Sequence, residues 1–381
     1  MTPAADAKPA WSLWRRLAPS FYAVCVGVVF LALLKNSRVA LPRLTSVFFL
    51  QLAIATTFST AMHEAGHALA AVCAGFRLRM FGVWPVRLVR SGNAWRVRWI
   101  GGRRAGFISV DPVIPNRLPT RLAIVVAAGP AASFATGLAA AYFPATRHLS
   151  DWFAAQLNLI AFVSLSSAIL NLLPGISRFA VTDGQRLRML SKGGAASERY
   201  CLLLLLGSAS FSGVRPRDWN ADLVKLLPGP LDGSPDSWMA QLLRYNWLID
   251  RGQVAEAGAV LQSILNDNLP PQLKETLQLQ ASWFQARFRA NLPEARRWMD
   301  LSPIRKRREA GYRCTLLRAQ AAIAFLEQRW TDAATAAAEA LRQRTRLDDA
   351  GAAKVISEGI IRLQRDIASA NRADPTLVQR R

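Results

Sequence analysis

The stretch Ala61-Met62-His63-Glu64-Ala65-Gly66-His67-Ala68-Leu69 decides how this chain reads. Residues four apart share one face of a helix, so an HExxH sequence can turn two imidazoles onto one metal ion while the adjacent Glu reaches a water beside it. Zinc held this way lowers the pKa of its water to ~7, and the glutamate takes the proton as the water attacks a carbonyl. Only three His occur in the chain, and two of them stand here. Around them, the run from Leu44 to Phe76 is interrupted by no other ionisable group and exceeds the ~20 residues needed to cross a bilayer. Ionisable side chains inside such a run are expensive to bury, which marks Glu64 and the two His as functional.

Working outward, three more apolar runs have crossing length: Leu17 to Leu34, Leu122 to Thr146 and Trp152 to Ser177. The first lacks the small-residue cleavage site of a signal peptide and reads as an anchor. A fifth run, Tyr200 to Val214, is shorter, ends in Gly and Ser, and reads as a buried soluble helix. The composition agrees with a membrane protein: of 381 residues 51% are hydrophobic and 19% charged, with 48 Lys and Arg against 25 Asp and Glu, a net charge of +23. Four Cys, at 25, 73, 201 and 314, form neither a disulfide framework nor a CxxC metal motif.

The basic excess is densest between Arg77 and Arg121, which holds ten Arg and one acid, Asp111. Trp84, Trp95 and Trp99 interleave with these Arg, but flanking membrane runs explain the charge by the positive-inside rule, and no nucleic-acid partner is expected. Four crossings then put the N-terminus, this stretch and everything after Arg178 in the cytoplasm, leaving three positive charges between Lys35 and Arg43 on the opposite side. Alternation in Trp95-Arg96-Val97-Arg98-Trp99, after the turn Ser91-Gly92-Asn93, predicts a small hairpin-rich sheet at the cytoplasmic face.

Two His need a further ligand, because catalytic zinc takes three protein groups and a water. His148 lies beyond the third crossing, at the opposite face. The better candidate is Asp183, in Thr182-Asp183-Gly184 after Asn171-Leu172-Leu173-Pro174, where Pro and Asn break the helix; an ordinary Asp-Gly turn is the competing reading.

The order of three elements carries a resemblance. His63-Glu64-Ala65-Gly66-His67, then Ala128-Gly129-Pro130-Ala131-Ala132-Ser133 in the next membrane helix, then Asn171-Leu172-Leu173-Pro174 with Asp183-Gly184, resembles the site-2 protease group of intramembrane metallopeptidases, peptidase family M50. It covers about residues 44–190. The resemblance implies a three-helix catalytic core with zinc held by His63, His67 and Asp183, Glu64 as general base, and Asn171 and Pro174 holding the substrate backbone. It implies cleavage in or near transmembrane segments of other membrane proteins. Two departures stand out: Gly175 to Thr182 separates the Pro from the Asp-Gly, and Ser133 replaces the family's usual Asn. Gly129, Ser133 and Gly137 still form a small-residue face for close helix packing.

After Val214, a linker punctuated by Pro and Asp leads to helical patterns that run to about residue 370. Gly252-Gln253-Val254-Ala255-Glu256-Ala257, Ala290-Asn291-Leu292-Pro293-Glu294-Ala295 and Gln328-Arg329-Trp330-Thr331-Asp332-Ala333 recur at a constant 38-residue interval. This resembles tetratricopeptide repeats, whose usual period is ~34. Stacked hairpins of this kind offer a concave surface to a protein partner. Arg305-Lys306-Arg307-Arg308 reads as a solvated loop.

The expected architecture is mostly α: a polytopic membrane bundle of about four helices with a small β hairpin region and a C-terminal helical-repeat domain. Its divisions are an anchor at 1–43, a catalytic core at 44–190 that includes a β-rich loop at 77–120, a connector at 191–235, repeats at 236–370 and a tail at 371–381. The expected function is a zinc-dependent intramembrane protease of the bacterial inner membrane, working on membrane-protein substrates within the lipid bilayer. The competing expectation is a membrane-anchored helical-repeat adaptor with a structural or vestigial metal site.

Overall fold

The computed structural model describes residues 46–91, 94–99, 106–113, 116–147, 149–175, 181–227, 231–302, 310–344 and 347–373. The expected anchor Leu17 to Leu34, His148 and the cluster Arg305 to Arg308 lie outside the described residues. The chain divides into two compact units, Met1–Ser197 and Glu198–Arg381.

In the first unit, helices α1 (Ser46–Cys73), α2 (Leu118–Thr146) and α3 (Asp151–Leu172) are each long and apolar enough to cross a membrane. Their burial is inverted relative to a soluble bundle. Helix α1 buries Gln51, Ser59, His63, Glu64 and His67, while Phe49, Leu50 and Leu69 are exposed. Outward Leu and Phe suit hydrocarbon, whereas inward polar groups must find partners among themselves. They do: Ser164 of α3 donates to Ser59 of α1 at 2.8 Å, and Gln156 Nε2 donates to the Gln51 carbonyl at 3.2 Å. Helix α2 packs on both neighbours by way of glycines. A Cβ at Gly66 would lie 2.5 Å from the Ala128 carbonyl oxygen, and one at Gly137 would lie 2.6 Å from Leu165 Cγ.

Between α1 and α2 the Arg-rich stretch forms an antiparallel sheet of β1 (Phe76–Val83), β2 (Val86–Ser91), β3 (Ala94–Trp99) and β4 (Gly106–Pro112), in the order β3-β2-β1-β4. Ser91 and Ala94 pair across β2 and β3, and Gly92 and Asn93 of the expected turn lie outside the described residues. Register slips by one residue between Leu78 and Met80 against β4, so Arg79 is the bulged residue. Its Nε donates to Asp111 at 3.0 Å, neutralising the one acid of the stretch. Arg121, in the first turn of α2, donates from Nε to the Ala74 carbonyl at 2.7 Å and lies 5.0 Å from the Phe76 ring centroid. It thereby ties the end of α1 and the start of β1 to α2. Helix α3 stops at Leu172, short of the expected Ser177, because Pro174 cannot continue it. Helix α4 (Asp183–Lys192) follows, with Thr182 as its N-cap.

Helix α5 (Gly194–Phe211) contains the division between the units. Its Leu202 and Leu206 are buried with Trp219, Val224, Leu227 and Leu243, so residues read as connector pack into the core of the second unit. After the short helix α6 (Ala221–Leu226) come three hairpins: α7 (Pro235–Asp250) with α8 (Val254–Leu265), α9 (Pro271–Phe288) with α10 (Leu292–Asp300), and α11 (Ala310–Leu326) with α12 (Trp330–Arg344). Helix α13 (Ala350–Ala373) packs against α12. The three tight turns place Gly252, Ala290 and Gln328 at φ 78°, 49° and 61°, and Ala257, Ala295 and Ala333 are each fully buried. Both sets keep the 38-residue spacing. Left-handed backbone ends each first helix so that its carbonyls are capped, and the small Ala lets the second helix close on the first.

Only one of these left-handed positions carries Gly. Ala290→Gly and Gln328→Gly are each expected to stabilise the second unit by up to ~1 kcal/mol, and Gly252→Ala to destabilise it by a similar amount. Thermal midpoints of the full-length variants in detergent check the three signs.

Candidate metal centre

The structure brings His63, His67 and Asp183 together: one ligand atom from each lies within 4.8 Å of the others. His63 Nε2 and His67 Nε2 are 3.1 Å apart, and Asp183 Oδ2 is 3.2 Å from the first and 3.5 Å from the second. The opposite ring nitrogens are held from α2. His67 Nδ1 donates to the Val125 carbonyl at 2.7 Å, which fixes the tautomer and leaves Nε2 with a lone pair. His63 Nδ1 and Ser133 Oγ lie 2.9 Å apart. Ser133 is fully buried, and although it stands where the resemblance leads one to expect Asn, its hydroxyl still orients the first imidazole.

Two further positions were not legible as parts of the site. A Cβ at Gly129 would lie 2.2 Å from His67 Nε2, so only glycine leaves room for that ring beside α2. A Cβ at Gly184 would lie 1.7 Å from the Leu172 carbonyl oxygen, so only glycine lets the start of α4 press against the end of α3. The Asp-Gly pair is therefore a point of close approach, and it also opens a helix.

The intervening residues after Pro174 do not carry Asp183 away, because Thr182 closes them off. Its hydroxyl donates to the Leu173 carbonyl at 2.7 Å and accepts from the Gly175 amide at 2.9 Å, and its own amide donates to the Gly175 carbonyl at 3.0 Å. The same oxygen accepts from the Gln185 amide as the cap of α4. Burial raises the Asp183 carboxyl, yet the facing His63 and His67 hold it below the ordinary carboxylate range, as an anionic donor.

Glu64 is buried, and its Oε1 lies where a Cβ on Gly106 would come within 2.6 Å, so the first residue of β4 touches the glutamate. Asn171 sits in the last turn of α3 and donates to Ser167 Oγ at 3.2 Å, and Pro174 follows the helix end. Neither is among the three clustered donors.

Two imidazole lone pairs and a carboxylate oxygen, all within hydrogen-bond distance in a buried site, are mutually repulsive until a cation lies between them. Nitrogen and carboxylate donors at three corners, with each imidazole braced at its far nitrogen, suit zinc with one open position. Ser133→Ala is expected to weaken zinc binding roughly 10- to 100-fold. Gly129→Ala should abolish it by displacing the His67 ring. Chelator competition on the purified full-length protein measures both, and a Ser133→Ala affinity equal to wild type would remove that residue from the site.

The model of peptidase family M50 matches residues 51–147, a span that contains α1 from Gln51 on, the sheet and α2 with both His, Glu64, Gly129 and Ser133. Comparison with curated proteins and with solved structures returns no match. The match supports peptidase family M50, a family of metallopeptidases, over residues 51–147, and His63, His67 and Asp183 could hold a metal ion.

Proposed function

We propose that the chain is a zinc-dependent intramembrane protease, with His63, His67 and Asp183 as metal ligands and Glu64 as general base. The observation that carries the proposal is the convergence of those three donors at the inner face of a helix bundle whose outer face is apolar. Bound zinc would supply Lewis acidity and a water acidic enough to ionise near neutral pH. Glu64 accepts the proton of the attacking water and returns it to the leaving amine. Ser133 and the Val125 carbonyl keep the two imidazoles aimed throughout the cycle. Asn171 and Pro174, where α3 breaks, hold the substrate backbone in extended form. His67 is six residues from the end of α1, roughly 9 Å along the axis, which sets the chemistry below the membrane surface on the side of the sheet.

On this reading the Arg-rich sheet and the second unit are cytoplasmic by the positive-inside rule, and the membrane is a bacterial inner membrane. The second unit is a helical-repeat module that recruits a protein partner, a role supported by the equivalent turns at Gly252, Ala290 and Gln328. Glu64→Gln is expected to lower cleavage of a transmembrane peptide in lipid by about 10²- to 10⁴-fold while zinc content stays at the wild-type level. Cleavage that survives the substitution sinks the Glu64 mechanism, and a Glu64→Gln chain that behaves as wild type in the cell while deletion of residues 236–370 abolishes function favours the adaptor, whose metal site is structural or vestigial.

A further inference from the structure

The second unit contains a groove of about 460 Å³ onto which α7, α9, α11 and α13 all open. Several Arg line it, and most are neutralised there. Arg215 pairs with Asp250 and, at 2.7 Å, with Glu358; Arg287 pairs with Asp366 at 2.5 Å; Arg362 pairs with Glu358. Arg318 of α11 differs. It is 7% exposed, it has no carboxylate partner among the described residues, and its hydrogen bond there is from Nη2 to a neutral acceptor, Gln280 Oε1. Gln280 is held in turn, since its Nε2 donates to the buried Tyr245 hydroxyl at 2.7 Å. Arg318 Nε is buried with no partner.

A guanidinium offers five N–H donors, and a buried cation without a counter-ion is the costly case. Burial accordingly pulls the Arg318 guanidinium below its ordinary pKa. The Trp283 ring lies over one face of the guanidinium, 5.4 Å from its central carbon, and Arg318 with its edge of N–H donors is among the residues that line the groove. The fixed fork of such an edge matches a carboxylate.

We infer that this groove receives one carboxylate of an acidic polypeptide segment, with Arg318 as its counter-ion. Arg217, which also lines the groove, lies 3.8 Å from Asp218, so Arg318 is the lining Arg without a carboxylate partner among the described residues; Asp250 and Glu358 stand in the same groove, which suits a monoanion and disfavours a doubly charged phosphate. Asn246 of α7 also lines the groove and has no side-chain hydrogen bond among the described residues, so its amide is available to a peptide backbone. Ile249, Val355 and Ile356 supply apolar wall for flanking side chains. The inference rests on the recruiting role proposed for the second unit and is independent of the chemistry at Glu64.

The test uses full-length protein in nanodiscs over an array of random decapeptides, each with one Asp or Glu, beside copies bearing Asn or Gln and copies bearing phosphoserine at that position. Retention of acidic decapeptides, lost roughly 10- to 100-fold in the Asn or Gln copies and in Arg318→Met, is the expected result. Arg318→Met should keep or raise the thermal midpoint, because an apolar side chain removes the uncompensated charge. Gln280→Glu, which supplies the missing carboxylate from within, should abolish retention in a folded protein. Retention indifferent to the carboxylate or to Arg318, or stronger for phosphoserine copies, overturns the carboxylate and leaves the recruiting role standing. Retention of no peptide at all overturns both.

Discussion

Three electron-pair donors from distant parts of the chain meet inside an apolar bundle, and the membrane unit is arranged around the need to hold them there. His63 Nε2, His67 Nε2 and Asp183 Oδ2 lie 3.1 to 3.5 Å apart, closer than uncompensated lone pairs would settle. Each donor is braced from outside its own helix or at a helix junction. Helix α2 supplies the Val125 carbonyl and Ser133 hydroxyl to the two imidazoles, and its Gly129 yields the space for one ring. The junction of α3 and α4 supplies Asp183 through a contact that only Gly184 permits. The close helix packing seen at Gly66 and Gly137 follows from the same demand, since a wider bundle would part the braces from the ligands.

Lipid exposure makes that arrangement self-consistent. In water, a helix with Gln51, Ser59, His63, Glu64 and His67 on its inner face and Phe49, Leu50 and Leu69 outside would turn over. Against hydrocarbon the same helix has one stable orientation, because each inward polar group costs several kcal/mol unless paired. The pairs between α1 and α3 therefore orient the helix, and orientation delivers the two imidazoles to the interior.

How much of this was legible depends on how local each determinant is. His63 and His67 are one helical turn apart, so spacing alone put them on one face. Asp183 could be named from the order of the motifs but not from its own neighbourhood, where Asp-Gly suggests a turn. Ser133 read as a departure from a pattern, and its bond to His63 emerges only when α1 and α2 are side by side. Gly129 and Gly184 stood out only as members of motifs and Gly106 gave no signal, since the atoms that exclude a side chain at the three positions belong to His67, Leu172 and Glu64. The alternation around Trp95 and Trp99 disclosed the sheet, yet not the bulge at Arg79, which depends on β4. In the second unit the 38-residue spacing was visible in composition and recurs as backbone geometry, while the packing of Leu202 and Leu206 was hidden because their partners lie beyond a segment rich in Pro.

Thr182 explains why the long bridge is compatible with a precise site. By bonding to Leu173 and Gly175 it closes the loop at its base, so the length of the excursion enters only as a closure entropy that grows slowly with residue number. The position of Asp183 is then a property of the clasp and of Gly184. The two units meet opposite electrostatic problems by the same logic. In the first, two imidazoles and a carboxylate converge on one point; in the second, the buried Arg318 guanidinium meets a neutral acceptor, Gln280, among the described residues. In each unit the surrounding braces, Val125 and Ser133 in one and Gln280 and Trp283 in the other, fix the group in a geometry that suits a partner of opposite charge.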